Sequence, residues 1–313
     1  MRVTKRIGLG LACWIVLLSA CDVARTQTPA AGSSGTAAGT ASAFAQTNDW
    51  LTPFPAHRVI GNVCFVGSAG LGAFLIVTPA GNILINSDLE ASVSQIREGV
   101  EKLGFKFADI KILLISHAHA DHCAGSAKIK ELTGAKYMVM DADVPVVESG
   151  GKKDFQYGAT AEAAYPATKV DRVLHDGDEV KLGGVTLVAH KTAGHTKGCT
   201  TWTMKVRDDA GGSRSLDVVI VGSPNVNPGY KLAGNAGYPE IAADYEHAFA
   251  VWKALPCDVF LGAHGSYYGL DEKFKHVNQG GANPFVDPAG YKSYISEREA
   301  AFREELKKQE APK

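Results

Sequence analysis

The run HAHADH, His117–His122, decides how this chain is read. It follows directly on KILLIS, Lys111–Ser116, a short aliphatic stretch that stops at a polar loop and so predicts a buried strand. A strand end is a rigid platform, and ligands set just past it can converge on one point. His117 and His119 can reach one metal together, while Asp121 and His122 can serve a second. Imidazole and carboxylate without thiolate suit a catalytic zinc site better than a structural one.

Two later segments repeat the placement. Gly194-His195-Thr196 ends the strand-like run VTLVAHKTAG, and Gly262-Ala263-His264-Gly265 follows the apolar run CDVFL. A histidine just past each strand end predicts convergence on the first cluster. His57, His175, His190, His247 and His276 lack that placement and are expected at the surface or in support of the site.

The remaining pattern predicts alternating strands and helices. Segments 58–67 and 72–85 read as β-rich with glycine breaks, and Ser92–Leu103 is helical with Ile96, Val100 and Leu103 on one stripe. A short helix over 124–132 ends at Gly134, and 136–140 is a strand. Segment 150–169, carrying Phe155, Tyr157 and Tyr165 among polar residues, reads as a long mobile loop. Strands return over 179–206 and 217–222, helices over 238–255 and 289–308. Such alternation predicts stacked sheets with helices outside.

The chain has 313 residues, 45% of them hydrophobic, which is enough for one large core, and its formal net charge of −1 argues against nucleic acid, where a basic face would be expected. MRVTKR followed by IGLGLACWIVLLSA reads as a basic region and an apolar export segment too short for a stable membrane span. Leu18-Ser19-Ala20-Cys21 matches a bacterial lipoprotein cleavage site, so 1–21 is expected to be a signal peptide ending at a lipidated Cys21, with ordinary signal cleavage nearby as the alternative. Residues 22–47, rich in Ala, Gly, Ser and Thr, form a flexible linker, and 48–313 the catalytic domain. A periplasmic, lipid-anchored monomer is the expectation, with the membrane touched only through that anchor.

HxHxDH with later glycine-flanked histidines resembles the metallo-β-lactamase superfamily. The context GHTKGCTTWT, NPGYKL, YPEIAADYEHAF and LPCDVFLGAHG closely resembles subclass B3, from about Trp50 to the C-terminal helix. That resemblance implies an α/β fold of the αβ/βα four-layer sandwich type with the metals at one edge. It implies two zinc ions per chain, the first on His117, His119 and His195, the second on Asp121, His122 and His264. The implied activity is hydrolysis of the β-lactam amide bond by a metal-bound hydroxide, with antibiotic resistance as the outcome and a small β-lactam as substrate. Asp121 would both ligate and orient the nucleophile.

Ser223 stands where many relatives carry a bridging Asp or a Cys, which argues against a glyoxalase- or lactonase-type site and leaves His122 to complete the second zinc. The alternative remains another binuclear metallohydrolase of the same fold, acting on a lactone, thioester or phosphoester. Ser223, Asn227 and Tyr157 are expected at the substrate, with Trp50, Phe54 and Phe155 as groove walls. Asn86 stands where relatives place an Asp that orients a ligand histidine, and its amide oxygen is expected to accept from an imidazole N–H; Asp88 is a second candidate for that role. Relatives bridge the LPCDVFL cysteine to the last helix; here Tyr291 holds the partner position, so Cys257 is expected to be a free packed thiol, and Cys123 to point away from the metals.

Overall fold

The computed structural model describes residues 49–208, 214–277 and 279–311. The expected signal peptide with Cys21, and the linker 22–47, lie outside the described residues. The first sheet has seven strands in chain order: β1 (His57–Ile60), β2 (Val63–Phe65), β3 (Phe74–Thr78), β4 (Gly81–Ile85), β5 (Ile110–Leu114), β6 (Lys136–Met140) and β7 (Arg172–Leu174). β1 to β4 form an antiparallel meander; β4 to β7 are parallel. The second sheet comprises β8 (Glu179–Leu182), β9 (Val185–Lys191), β10 (Thr200–Arg207), β11 (Ser215–Val221) and β12 (Val259–Gly262) in the spatial order β12-β11-β10-β9-β8. It is antiparallel except where β11 pairs with β12.

The strand periodicity of two divides the core. Ile83 and Ile85 of β4 and Ile112 and Leu114 of β5 face the space between the sheets, where they join Leu187, Trp202 and Met204. The intervening Leu84 and Leu113 face the other way, beneath Ile96 and Val100 of α1 (Val93–Lys102) and Ile129 of α3 (Ser126–Thr133). Between α1 and α3 lies the single-turn α2 (Ala120–Cys123). Burial on both faces explains why β5 is almost continuously apolar. Each such side chain contributes about 1.5–3 kcal/mol by leaving water.

α4 (Val144–Glu148) follows β6, and α5 (Ile241–Ala254) follows β11. After β12 come α6 (Gly265–Tyr268), α7 (Leu270–Lys275) and the terminal α8 (Pro288–Glu310). α5 and α8 cover the second sheet through Phe249, Trp252 and Phe302, with Trp252 Nε1 donating to Thr201 Oγ1 at 2.8 Å. The result is a sandwich of four layers, helix–sheet–sheet–helix, as expected. Cys257 is a free thiol, and Tyr291, at the expected position of its bridging partner, is buried with its hydroxyl donating to Trp252 O at 2.8 Å.

Segment 150–169 departs from the loop expected of it. Asp154 Oδ1 accepts from the amides of Gln156 and Tyr157, and Tyr165 Oη donates to Ala118 O at 2.7 Å. These bonds pin the segment beside HAHADH. No helix among the described residues is long and apolar enough to cross a membrane.

Candidate metal centre

Because β9 and β11 run the same way and β11 parallels β12, the carboxyl ends of β9, β11 and β12 lie at one edge of the second sheet. His195 and His264 sit just past two of those ends. His117 sits beyond the end of β5, His119 is the extended residue that opens α2, and Asp121 and His122 lie within α2 rather than in open loop. The chain turns into His195 through Gly194 at φ +132°, where a side chain would meet the Tyr245 ring at 2.6 Å.

All six expected ligands are brought together. Donor atoms of His117, His119 and His195 lie within 4.8 Å of one another, as do those of His117, Asp121 and His122. His122 Nε2 is 3.1 Å from His264 Nε2 and 3.0 Å from Asp121 Oδ2, and His264 Nε2 is 3.5 Å from Asp121 Oδ2. That triangle matches the spacing of roughly 3.3 Å between ligand atoms around a tetrahedral zinc with bonds of about 2.0–2.1 Å. His117 Nε2 is buried without a hydrogen-bond partner, as a nitrogen reserved for a metal would be. The donor set therefore fits zinc.

The protonation states agree. Burial, then the neighbouring His122 and His195, holds the His117 imidazole well below its ordinary value. Burial and His119 do the same for His195. Burial and His122 outweigh Asp121 at His264, which falls to about 4. Burial would raise Asp121, but His122 and His264 hold it well below the usual carboxylate range. Neutral imidazoles and an ionised carboxylate are the forms that bind metal.

Four of the five imidazoles are held from behind. His117 Nδ1 meets Ser116 Oγ at 3.1 Å, and His195 Nδ1 meets Asn225 O at 2.8 Å. The backbone of Gly70 lies beside the His264 imidazole and favours its protonated form. His119 Nε2 lies 3.7 Å from Asp154 Oδ2, an ion-pair separation rather than a hydrogen bond. Burial alone would lower His119, yet the Asp154 carboxylate outweighs it and raises the imidazole.

Asp143 binds the two histidine loops together. Its Oδ2 accepts from Ala118 N and Thr196 Oγ1, and its Oδ1 from Gly198 N, all at 2.8–2.9 Å. Gly198 is required here, because a side chain would strike Asp143 at 2.6–2.7 Å. Neither Asp143 nor Asp154 was singled out from sequence. For Asp143 the available signal was its place just past the β6 strand; for Asp154 it was the aromatic loop that it opens.

A cleft of about 350 Å³ opens over these groups, lined by Trp50, His119, Tyr157, Asn227, His264 and Tyr267 among others. Asn227 Nδ2 donates to Tyr157 Oη at 3.1 Å, so two expected substrate residues share one wall. Trp50 stands beside His264, ring centroids 6.2 Å apart.

Three expectations need correction. Ser223 is fully buried, its hydroxyl bonded to Tyr267 Oη at 3.1 Å, so it supports the cleft from below and does not face substrate. Asn86 does not serve an imidazole: its oxygen accepts from Ser116 N at 2.7 Å and its nitrogen donates to Gly72 O at 2.8 Å, splicing the ends of neighbouring chain segments. Phe54 and Phe155 are packing residues, the first against Phe65 and Phe274, the second against Tyr230 and Tyr238.

Comparison with known proteins gives the same direction. The metallo-beta-lactamase superfamily model matches residues 73–209. The chain is similar to the native FEZ-1 metallo-beta-lactamase from Legionella gormanii, at 54% identity over 83% of this chain and 98% of that one, with a TM-score of 0.81. It is also similar to BJP-1, a subclass B3 metallo-beta-lactamase of Bradyrhizobium japonicum, at 38% identity over 84% and 97% of the two chains and a TM-score of 0.78. Among curated sequences, a probable metallo-hydrolase of Burkholderia pseudomallei is 30% identical over 143 residues, 46% of each protein, so the matched stretch spans about half the length of that relative.

Proposed function

The chain belongs to the metallo-β-lactamase family, with subclass B3 enzymes among its similar structures, and on that premise we propose that it is a zinc-dependent hydrolase of the β-lactam amide bond. The observation that carries this reading is the pair of adjoining ligand groups beneath one open cleft, with His122 where the second group needs its third ligand and a buried Ser223 that supplies none.

His117, His119 and His195 hold one zinc, and Asp121, His122 and His264 the other. His117 and His195 present Nε2, since Nδ1 of each is engaged by Ser116 and Asn225; His119 presents Nδ1, since its Nε2 is turned to Asp154. Bound zinc supplies a Lewis acid for the carbonyl oxygen and for the departing ring nitrogen, and makes a water nucleophile available near neutral pH. Asp121 turns one oxygen towards His122 and His264, and its carboxylate would accept a hydrogen bond from the attacking water and so aim it at the carbonyl carbon. Asn227 and Tyr157 hold the substrate's carboxylate or carbonyl on one wall, and Trp50 bounds the other. Ser116, Asp154, Asn225 and Gly70 keep the imidazoles oriented, which matters because partners behind a ligand histidine fix its tautomer and direction.

The export reading goes with this function: Cys21 carries the lipid, 22–47 is the tether, and 48–313 works in the periplasm. Support comes from the LSAC sequence and the composition that follows it. Growth with labelled palmitate tests it; absence of label on the chain excludes the anchor.

The substrate class is tested by incubating purified protein with a penicillin, a cephalosporin, a carbapenem, a lactone and a thioester, each with and without chelator. Chelator-sensitive opening of the β-lactams is expected. Turnover of only the lactone or thioester would assign a different hydrolase of this fold.

A further inference from the structure

Behind the ligand histidines two outer nitrogens make no hydrogen bond: His119 Nε2, which faces the Asp154 carboxylate at 3.7 Å, and His122 Nδ1, which has no charged group set against it in that way. His117, His195 and His264 each have an outer partner, whereas His122 Nδ1 is buried and has none. When Nε2 is the ligating atom, Nδ1 carries the proton and is a donor. A buried donor left unmatched costs about 1–3 kcal/mol, so a native structure rarely tolerates one.

Close by is a carboxyl group with the complementary defect. Asp88 is completely buried, and neither Oδ1 nor Oδ2 has a hydrogen-bond partner. The backbone brings the two groups together: Ser87 N donates to His122 O at 3.0 Å, and Gly125 N donates to Asp88 O at 3.0 Å. Asp88 is thus strapped to the turns that carry His122 on both sides. It also holds φ at +51°, a left-handed conformation that non-glycine residues adopt at a cost and that persists where the surroundings enforce it. A second buried donor without a partner, Tyr268 Oη, belongs to the same region, near enough for the Asp88 carboxyl to act on that phenol. Two carboxylate oxygens and two orphaned donors make a balanced set.

Building on the metal-site reading above, we infer that Asp88 is a positioning residue for the second metal: its carboxylate accepts the Nδ1 proton of His122, directly or through one enclosed water, while Tyr268 Oη serves the other oxygen. Asp88 touches neither substrate nor metal. It acts by fixing the imidazole with Nε2 towards His264 and Asp121. A single buried water with two to four polar partners is an ordinary structural element and fits the alternative route.

The test uses Asp88→Leu, which replaces the acceptor with a larger apolar side chain, and Asp88→Asn, which keeps the shape and one acceptor and guards against a folding failure of the first. The protein is labelled with ¹⁵N-histidine, stripped of metal and titrated with zinc. In the wild type the His122 Nδ1 proton should be observable and slow to exchange with water once two equivalents are bound. In Asp88→Leu that proton should exchange rapidly, and the second zinc should bind 10–100-fold more weakly, the usual effect of losing a partner behind a ligand. The first zinc should bind as before, and Asp88→Asn should fall between. Unchanged His122 resonances with two wild-type affinities would overturn the inference. Equal weakening of both zincs with unchanged His122 resonances would also overturn it, because that pattern marks a general structural role. These readouts need no β-lactam, so failure of the proposed substrate class leaves them intact.

Discussion

Thr196 Oγ1 donates to Asp143 Oδ2 at 2.8 Å, joining the turn that carries His195 to the end of the β6 strand in the other half of the sandwich. The same oxygen accepts from Ala118 N, between His117 and His119. One buried carboxylate therefore sets the distance between the two loops that supply the first ligand group. Burial pushes this carboxyl up to about 6, against the pull of Thr196 and the Gly198 amide.

Asp143→Ala would leave three buried donors unmatched, each worth about 1–3 kcal/mol. A loss of at least about 3 kcal/mol in urea unfolding is expected, with weaker zinc binding at the first group. Asp143→Asn should lose less. A loss below about 1 kcal/mol for the alanine variant would contradict the clamp.

Asp154 raises the His119 imidazole against the effect of burial, so near neutral pH part of the metal-free protein holds a proton there. In that protein the His119–Asp154 attraction contributes stability that is fully present below the ordinary histidine value near 6.5 and is lost as pH rises through the raised one. Metal must displace that proton. Zinc binding to wild-type protein at pH 7 should release more protons than binding to Asp154→Asn, as read by calorimetry in buffers of different ionisation enthalpy. Equal release would remove Asp154 from behind His119.

Ser223→Ala should keep two zincs and most activity, because the hydroxyl meets Tyr267 rather than the cleft. Its stability should fall by roughly 1 kcal/mol as that bond is lost. His122→Ala should retain one zinc after dialysis against a weak chelator, since it removes one of the three ligands of the second group. Metal analysis of the two variants checks both; one zinc in Ser223→Ala, or two firmly held in His122→Ala, would overturn the ligand assignment.

Asn227→Ala and Tyr157→Phe remove paired groups from one wall of the cleft. Each should raise KM several-fold, in keeping with about 1 kcal/mol per hydrogen bond, and leave zinc content unchanged. Because the two touch, the double variant should lose less than the sum. Steady-state kinetics on one β-lactam measures this, and additive losses would show that the residues act apart.

The metal-bearing half of this picture was legible because ligands and strands leave strong local marks. KILLIS reads as a strand and lies within two residues of β5 at either end, and each glycine-flanked histidine falls just past a strand end. What stayed hidden depends on contacts between distant segments. Asp143 lies 53 residues from its partner Thr196, and nothing in DAD distinguishes it from a turn acid. Asn86 lost its expected imidazole because a left-handed backbone, φ +66°, turns its amide to Ser116 and Gly72. Phe54 and Phe155, spaced through polar loops, fold back into packing because neighbouring aromatic rings bury more of them than an open cleft would. The short strand β7 and the one- and two-turn helices α4, α6 and α7 are too brief for periodicity to mark.

The most direct test is a zinc titration of the metal-free protein with β-lactam hydrolysis followed at each step. Hydrolysis should be absent without metal, appear as zinc is added, and level off with about two zincs bound per chain, while His119→Ala and His195→Ala stay below about a tenth of the wild-type rate because metal catalysis supplies several kcal/mol. Undiminished hydrolysis by the metal-free protein, or none with both zincs in place, would contradict the account.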